Sequence, residues 1–113
     1  MDFGTNSSAI SVDYPDYAKI ICEQITDNNV DSGVLICGSG IGMSIAANRL
    51  SNIRAALCLN SNMAFAARAH NNANILVMGA RLISFDEAKE IIIKFFNTQF
   101  EGGRHANRLA KIT

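Results

Sequence analysis

Three short apolar runs constrain this chain more than any other feature: "GVLIC" at 33–37, "IRAALCL" at 53–59 and "NILVMG" at 74–79. Each has the length of a strand rather than a helix, and a run that is apolar throughout must be covered on both faces. Helical spacing fills the intervals. "DYPDYAKIICEQITDN" places Asp13 ahead of Pro15 at a first turn, then Ala18, Ile21, Cys22 and Ile25 along one stripe. Further helices are expected over 41–50, over "SNMAFAARAHNN" and over "SFDEAKEIIIKFFNTQ", where Ser84 and Glu87 make a capping-box pattern. "EGGRHANRLAKIT" breaks at two glycines and resumes as a short basic helix. Strand and helix in alternation predict an α/β domain, a three-layer α/β/α Rossmann-like arrangement with a parallel sheet. At 113 residues, 1–113 form a single domain around one core.

Composition narrows what such a domain does. With 49% hydrophobic and only 18% charged residues, the chain has a thinly charged surface suited to self-association. Ten basic residues balance ten acidic ones, so no global field draws it to nucleic acid or to an anionic membrane. No apolar window reaches membrane-spanning length and "MDFGTNSSAI" has no leader pattern, so a soluble cytoplasmic chain is expected. Cys22, Cys37 and Cys58 form no CxxC pair, and no histidine stands at metal-ligand spacing, which argues against a disulfide framework or a zinc site.

In parallel sheets, ligands sit beyond the carboxyl ends of the strands. Cys37 with its glycines, Cys58 with Asn60, and Gly79 with Arg81 all fall at such ends, whereas His70 closes a helix. In "CGSGIG", Gly38, Gly40 and Gly42 let backbone amides converge at a helix start, where partial positive charge favours an anion and a thiolate. Cys37 is thereby a candidate base or nucleophile, and equally a small buried hydrophobe. The Walker pattern fails because no Lys follows Gly42, and GxGxG is not the dinucleotide fingerprint. A cysteine phosphatase loop would need Arg where Met43 stands. Arg104 and Arg108, four apart, share a helix face that can fork onto a phosphate or simply be solvated. His70 reads as a helix-end histidine, Met43 and Met63 as core or interface, and Cys22 and Cys58 as buried thiols.

The words "DFGTNS", "VDYPDYA", "ICGSGIGMSIAAN", "IRAALC", "AHNNANIL", "GAR" and "FEGGRHANR", in this order, resemble ribose-5-phosphate isomerase type B and its galactose-6-phosphate isomerase relatives over essentially the whole chain. The resemblance implies aldose–ketose isomerisation of a phosphorylated pentose through a cis-enediolate, without metal or organic cofactor. It makes Cys37 the base moving a proton between C2 and C1, with Ser39 and His70 assisting opening of the furanose ring. Gly38, Gly40, Ile41 and Gly42 would line the substrate and stabilise the enediolate, Asn71 would hydrogen-bond the sugar, and Arg104 and Arg108 would hold the phosphate. It further implies a homodimer or tetramer whose sites are shared, Arg81, His70 and Asn71 reaching across from the partner.

Two departures accompany it. Leu59-Asn60 stands where the family usually has His-Asp. By comparison the chain also opens about thirty residues late, which leaves roughly three of five strands, an open sheet edge and no Asp-His pair. An alternative expectation follows, a catalytically inactive fragment that keeps the dimer surface and weak sugar-phosphate binding.

Overall fold

A computed structural model describes residues 1–112. Helix α1 (Tyr14–Thr26) leads to strand β1 (Gly33–Cys37), α2 (Ile41–Ala47), β2 (Ala55–Leu57), α3 (Ser61–Ala69), β3 (Ile75–Gly79), α4 (Phe85–Phe96) and α5 (Arg104–Leu109). The three strands form a parallel sheet in the order β1-β3-β2, with Cys37 opposite Gly79 and Leu57 opposite Val77. Among the described residues, no helix is long and apolar enough to cross a membrane.

β3 is central and buried at every position, and its period-two geometry divides the interior in two. Ile75 and Val77 face a cluster built from Ala18, Cys22 and Ile25 of α1 with Met43 and Ala47 of α2. Leu76 and Met78 face the other side, against Ala64 and Ala67 of α3 and Ile91 and Phe95 of α4. The expected three layers are present. Removing a side chain such as Phe95, 1% exposed, from water is worth roughly 2–3 kcal/mol.

Local chemistry explains the ends of the elements. Pro15 occupies the first turn of α1, although the Asp13 side chain makes no capping bond. The capping box of α4 forms as expected: Ser84 Oγ accepts from the Glu87 amide at 3.1 Å while Glu87 Oε1 accepts from the Ser84 amide at 2.8 Å. That bonding to the charged form pulls the Glu87 carboxyl below its ordinary value.

Three expectations need correction. β2 is three residues long rather than seven, because Asn74 takes over the backbone before it: Asn74 Oδ1 accepts from the Arg54 amide at 2.8 Å, and its amide group donates to the Asn52 carbonyl at 2.9 Å. α2 stops at Ala47 rather than residue 50, where Asn48 turns its side chain to both backbone groups of Ala55. α3 stops at Ala69, since Asn72 adopts a φ of 46° and the chain must turn back into β3.

Candidate active site

β1 delivers Cys37 to the carboxyl edge of the sheet, half-buried, and the next three residues fold back over it. The Gly40 amide donates to Cys37 Sγ at 3.2 Å, so a polarised N–H faces the sulfur, the arrangement a thiolate accepts. Ser39 Oγ accepts from the Ile41 amide at 3.2 Å. Two of the converging amides are therefore already engaged, and the first of them serves the thiol.

Two glycines make this turn possible. Gly40 has φ 79°, and a Cβ there would stand 2.5 Å from Leu57 Cδ1. Gly79 ends β3 directly beneath the loop, where a Cβ would stand 2.5 Å from the Ser39 carbonyl. Nothing in the sequence reading assigned Gly79 that role; its place opposite Cys37 in the register is the signal. Gly42 lies against the Tyr14 ring, where its missing side chain makes room for α1.

The loops after β1 and β3 are bonded together: the Ala80 amide donates to the Cys37 carbonyl at 2.8 Å and the Arg81 amide to the Gly38 carbonyl at 2.9 Å. The Arg81 guanidinium lies over Gly38 of the same chain, bringing a positive charge to this chain's own cysteine loop. A groove of about 800 Å³ runs along β1, with Tyr14, Tyr17, Leu35, Met43 and Cys37 among its walls.

The remaining candidates gather elsewhere. α3 starts after β2 and runs back toward the start of β3, so His70, its C-cap, sits at the amino edge of the sheet. Nine residues at 1.5 Å each put it about 13 Å further down the layer than the strand ends where the cysteine lies. His70 stacks on His105, ring centroids 4.5 Å apart, and meets Phe65 edge-on. Asn71 is exposed beside a second cavity of about 600 Å³ that also touches Cys58, Met63 and Leu109. Arg104 and Arg108 lie exposed on α5, next to this histidine pair. Within one chain, Cys37, Ser39, Gly38, Gly40, Ile41 and Arg81 come together, and His70, Asn71, Arg104 and Arg108 form a separate group.

Other polar residues are structural. Asn60 caps α3, its Oδ1 accepting from the Met63 amide at 2.8 Å. Arg68 donates to the Thr98 and Ala73 carbonyls and to Asn72, tying the end of α3 to the chain around it. Desolvation and then the Arg54 charge lower its pKa. Cys22 and Cys58 are each 1% exposed; burial and then Glu23 raise the first thiol, and burial raises the second to about 11. Met43 belongs to the core, while Met63 is 40% exposed. Glu101, between the two histidines, is a neighbour the sequence reading missed, although its four-residue spacing from His105 was visible.

The family model described as Ribose/Galactose Isomerase matches residues 1–112. Ribose-5-phosphate isomerase B of Escherichia coli is 42% identical over 113 residues, which are 100% of this chain and 75% of that protein. The crystal structure of a ribose 5-phosphate isomerase from Thermotoga maritima is similar at TM-score 0.96 and 56% identity, covering 99% of this chain and 77% of that one. The Mycoplasma genitalium ribose-5-phosphate isomerase B, solved with bound ribulose-5-phosphate, is similar at TM-score 0.93 and 39% identity over 98% of this chain and 74% of that one.

Proposed function

Since this chain belongs to the ribose/galactose isomerase family, we propose that it interconverts ribose 5-phosphate and ribulose 5-phosphate with Cys37 as the proton-transfer base. The observation that carries the reading is the Gly40 N–H aimed at Cys37 Sγ over the end of β1. In the open-chain aldose, the thiolate takes the proton from C2 and the electron pair moves to form the cis-enediolate with its negative charge on O1; the hydroxyl proton of O2 then passes to O1, and the thiol returns its proton to C1, leaving the carbonyl at C2. The Arg81 guanidinium over Gly38 supplies positive charge where the oxyanion develops.

Ring opening and phosphate binding need the second group of residues, which one chain keeps at the far edge of its sheet. The reading therefore joins two copies: His70, with Asn71, from one chain serves the Cys37 loop of the other, and Arg104 and Arg108 fork onto the phosphate. Exposed apolar side chains on the helix that follows the cysteine loop support such a contact, Ile41 and Ile45 of α2, 54% and 61% exposed. The chain is placed in the cytoplasm on this reading, as a soluble enzyme of sugar phosphates.

The test is exchange of the C2 proton of ribose 5-phosphate with solvent. Cys37→Ala should lower it about 10²–10⁴-fold while phosphate binding stays near that of the parent. Near-normal turnover in that variant would put the base elsewhere. A second reading, sugar-phosphate binding without turnover, is favoured by β1 forming an outer edge of the sheet with Ile36 52% exposed. It requires that the chain bind ribose 5-phosphate yet leave the C2 proton unexchanged, and measurable isomerisation would dismiss it.

A further inference from the structure

Outside the cysteine loop, two imidazoles and a carboxylate converge. We propose that His70, Glu101 and His105 form a site for a borderline transition-metal dication of the Zn²⁺, Co²⁺ or Ni²⁺ class, and that an ion held there silences His70. Glu101 Oε1 lies 3.9 Å from His70 Nε2 and 3.7 Å from His105 Nε2, and all three donor atoms fall within 4.8 Å of one another. Zinc bonds of about 2.0–2.1 Å in tetrahedral geometry want donors roughly 3.4 Å apart, so the set closes by about an ångström or less for most pairs. Two histidines and one glutamate leave the fourth position to water.

The backbone holds the donors in register. The Glu101 amide donates to the Ala69 carbonyl at 3.0 Å, fixing Glu101 beside the residue that precedes His70, and the His105 amide donates to the Gly102 carbonyl at 3.1 Å. The rings lie 17° from parallel, so both must turn about their side-chain bonds to aim their lone pairs at one point. His70 and Glu101, with side chains 42% and 52% exposed, have room for most of that adjustment, and the His105 side chain, 13% exposed, for less of it.

Chemistry selects the class of ion. Imidazole nitrogens suit zinc, cobalt and nickel, while magnesium and calcium prefer an all-oxygen shell. Metal binding also needs neutral imidazole. The binding half of the inference is independent of the isomerase reading; the silencing half rests on it, through the ring-opening role given to His70.

Binding is measured in the Cys37→Ala protein, where the half-buried thiol no longer competes for the ion. Titration with Co²⁺ followed by visible absorption, and with Zn²⁺ by calorimetry, should show a single site per chain. Glu101→Gln and His105→Gln should each weaken it at least about tenfold. No binding up to millimolar metal, or equal affinity in both variants, would overturn the site. In the parent protein, Zn²⁺ should inhibit turnover reversibly on chelation, at a concentration that rises at least about tenfold in His105→Gln. Full turnover with the site demonstrably loaded would overturn the silencing of His70 and, with it, the role of His70 in ring opening.

Discussion

Native-state alkylation should separate the three cysteines by burial. Cys58 is 1% exposed, and burial pushes its thiol from the ordinary 9.0 up to about 11. Two units leave it about one hundredth of the thiolate that an unperturbed thiol has at pH 8, before any allowance for blocked access. Cys22 is equally buried, with its sulfur 4.0 Å from the Ala47 carbonyl, and its thiol is raised for the same first reason. Cys37 is only half-buried and lines the groove along β1. Iodoacetamide at pH 8, read by peptide mass spectrometry, should therefore modify Cys37 first and Cys58 at least about 100-fold more slowly than a free model thiol, with loss of isomerisation tracking Cys37. Labelling of Cys58 should rise about tenfold per pH unit toward 11. The folded chain keeps the Cys58 proton to higher pH than the unfolded chain, so that stability is full below about 9 and up to about 2–3 kcal/mol of it is lost as pH rises to about 11. Modification of Cys22 or Cys58 at the rate of Cys37, in protein that stays folded, would refute the reasoning.

On the proposed reading, Arg104→Ala and Arg108→Ala should each raise KM for the sugar phosphate about 10- to 100-fold with a smaller change in kcat, since each would remove a charge-assisted bond to phosphate. Inorganic phosphate binding the double variant as well as the parent would dismiss the assignment. Asn74→Ala leaves the Arg54 amide and the Asn52 carbonyl without their partner, and should cost about 1–3 kcal/mol, seen as a lower urea midpoint at unchanged slope. An unmoved midpoint would mean that water takes over both groups.

The architecture was legible where side chains meet a single demand. β3 is apolar throughout because both its faces are covered, and Ser84 with Glu87 announced α4, so both could be read directly. β2 could not. "IRAALCL" is apolar enough for seven strand residues, but the asparagines that claim the flanking backbone groups stand at positions 48 and 74, distant in sequence. The same blindness hid Asn60, read beside Cys58 at a strand end and found as a helix cap. For the candidate site, the cysteine and its glycines were legible because strand, thiol and loop are contiguous. The crowding of Gly79 against Ser39 was not, since it depends on which strand lies next to β1.

The placement of His70 and Cys37 at opposite edges of the sheet has a consequence for mixtures. If every working site joins one chain's cysteine to another chain's histidine, defects at the two positions are complementary rather than cumulative. On that reading the Cys37→Ala and His70→Ala homodimers would each be nearly inactive, yet after unfolding and refolding together about half of the dimers would pair one chain of each kind, given a symmetric two-chain contact. In such a pair, one site contains both lesions and the other contains neither. Two dead preparations would thus regain about a quarter of the parent activity per chain, whereas a site closed within a single chain would regain none.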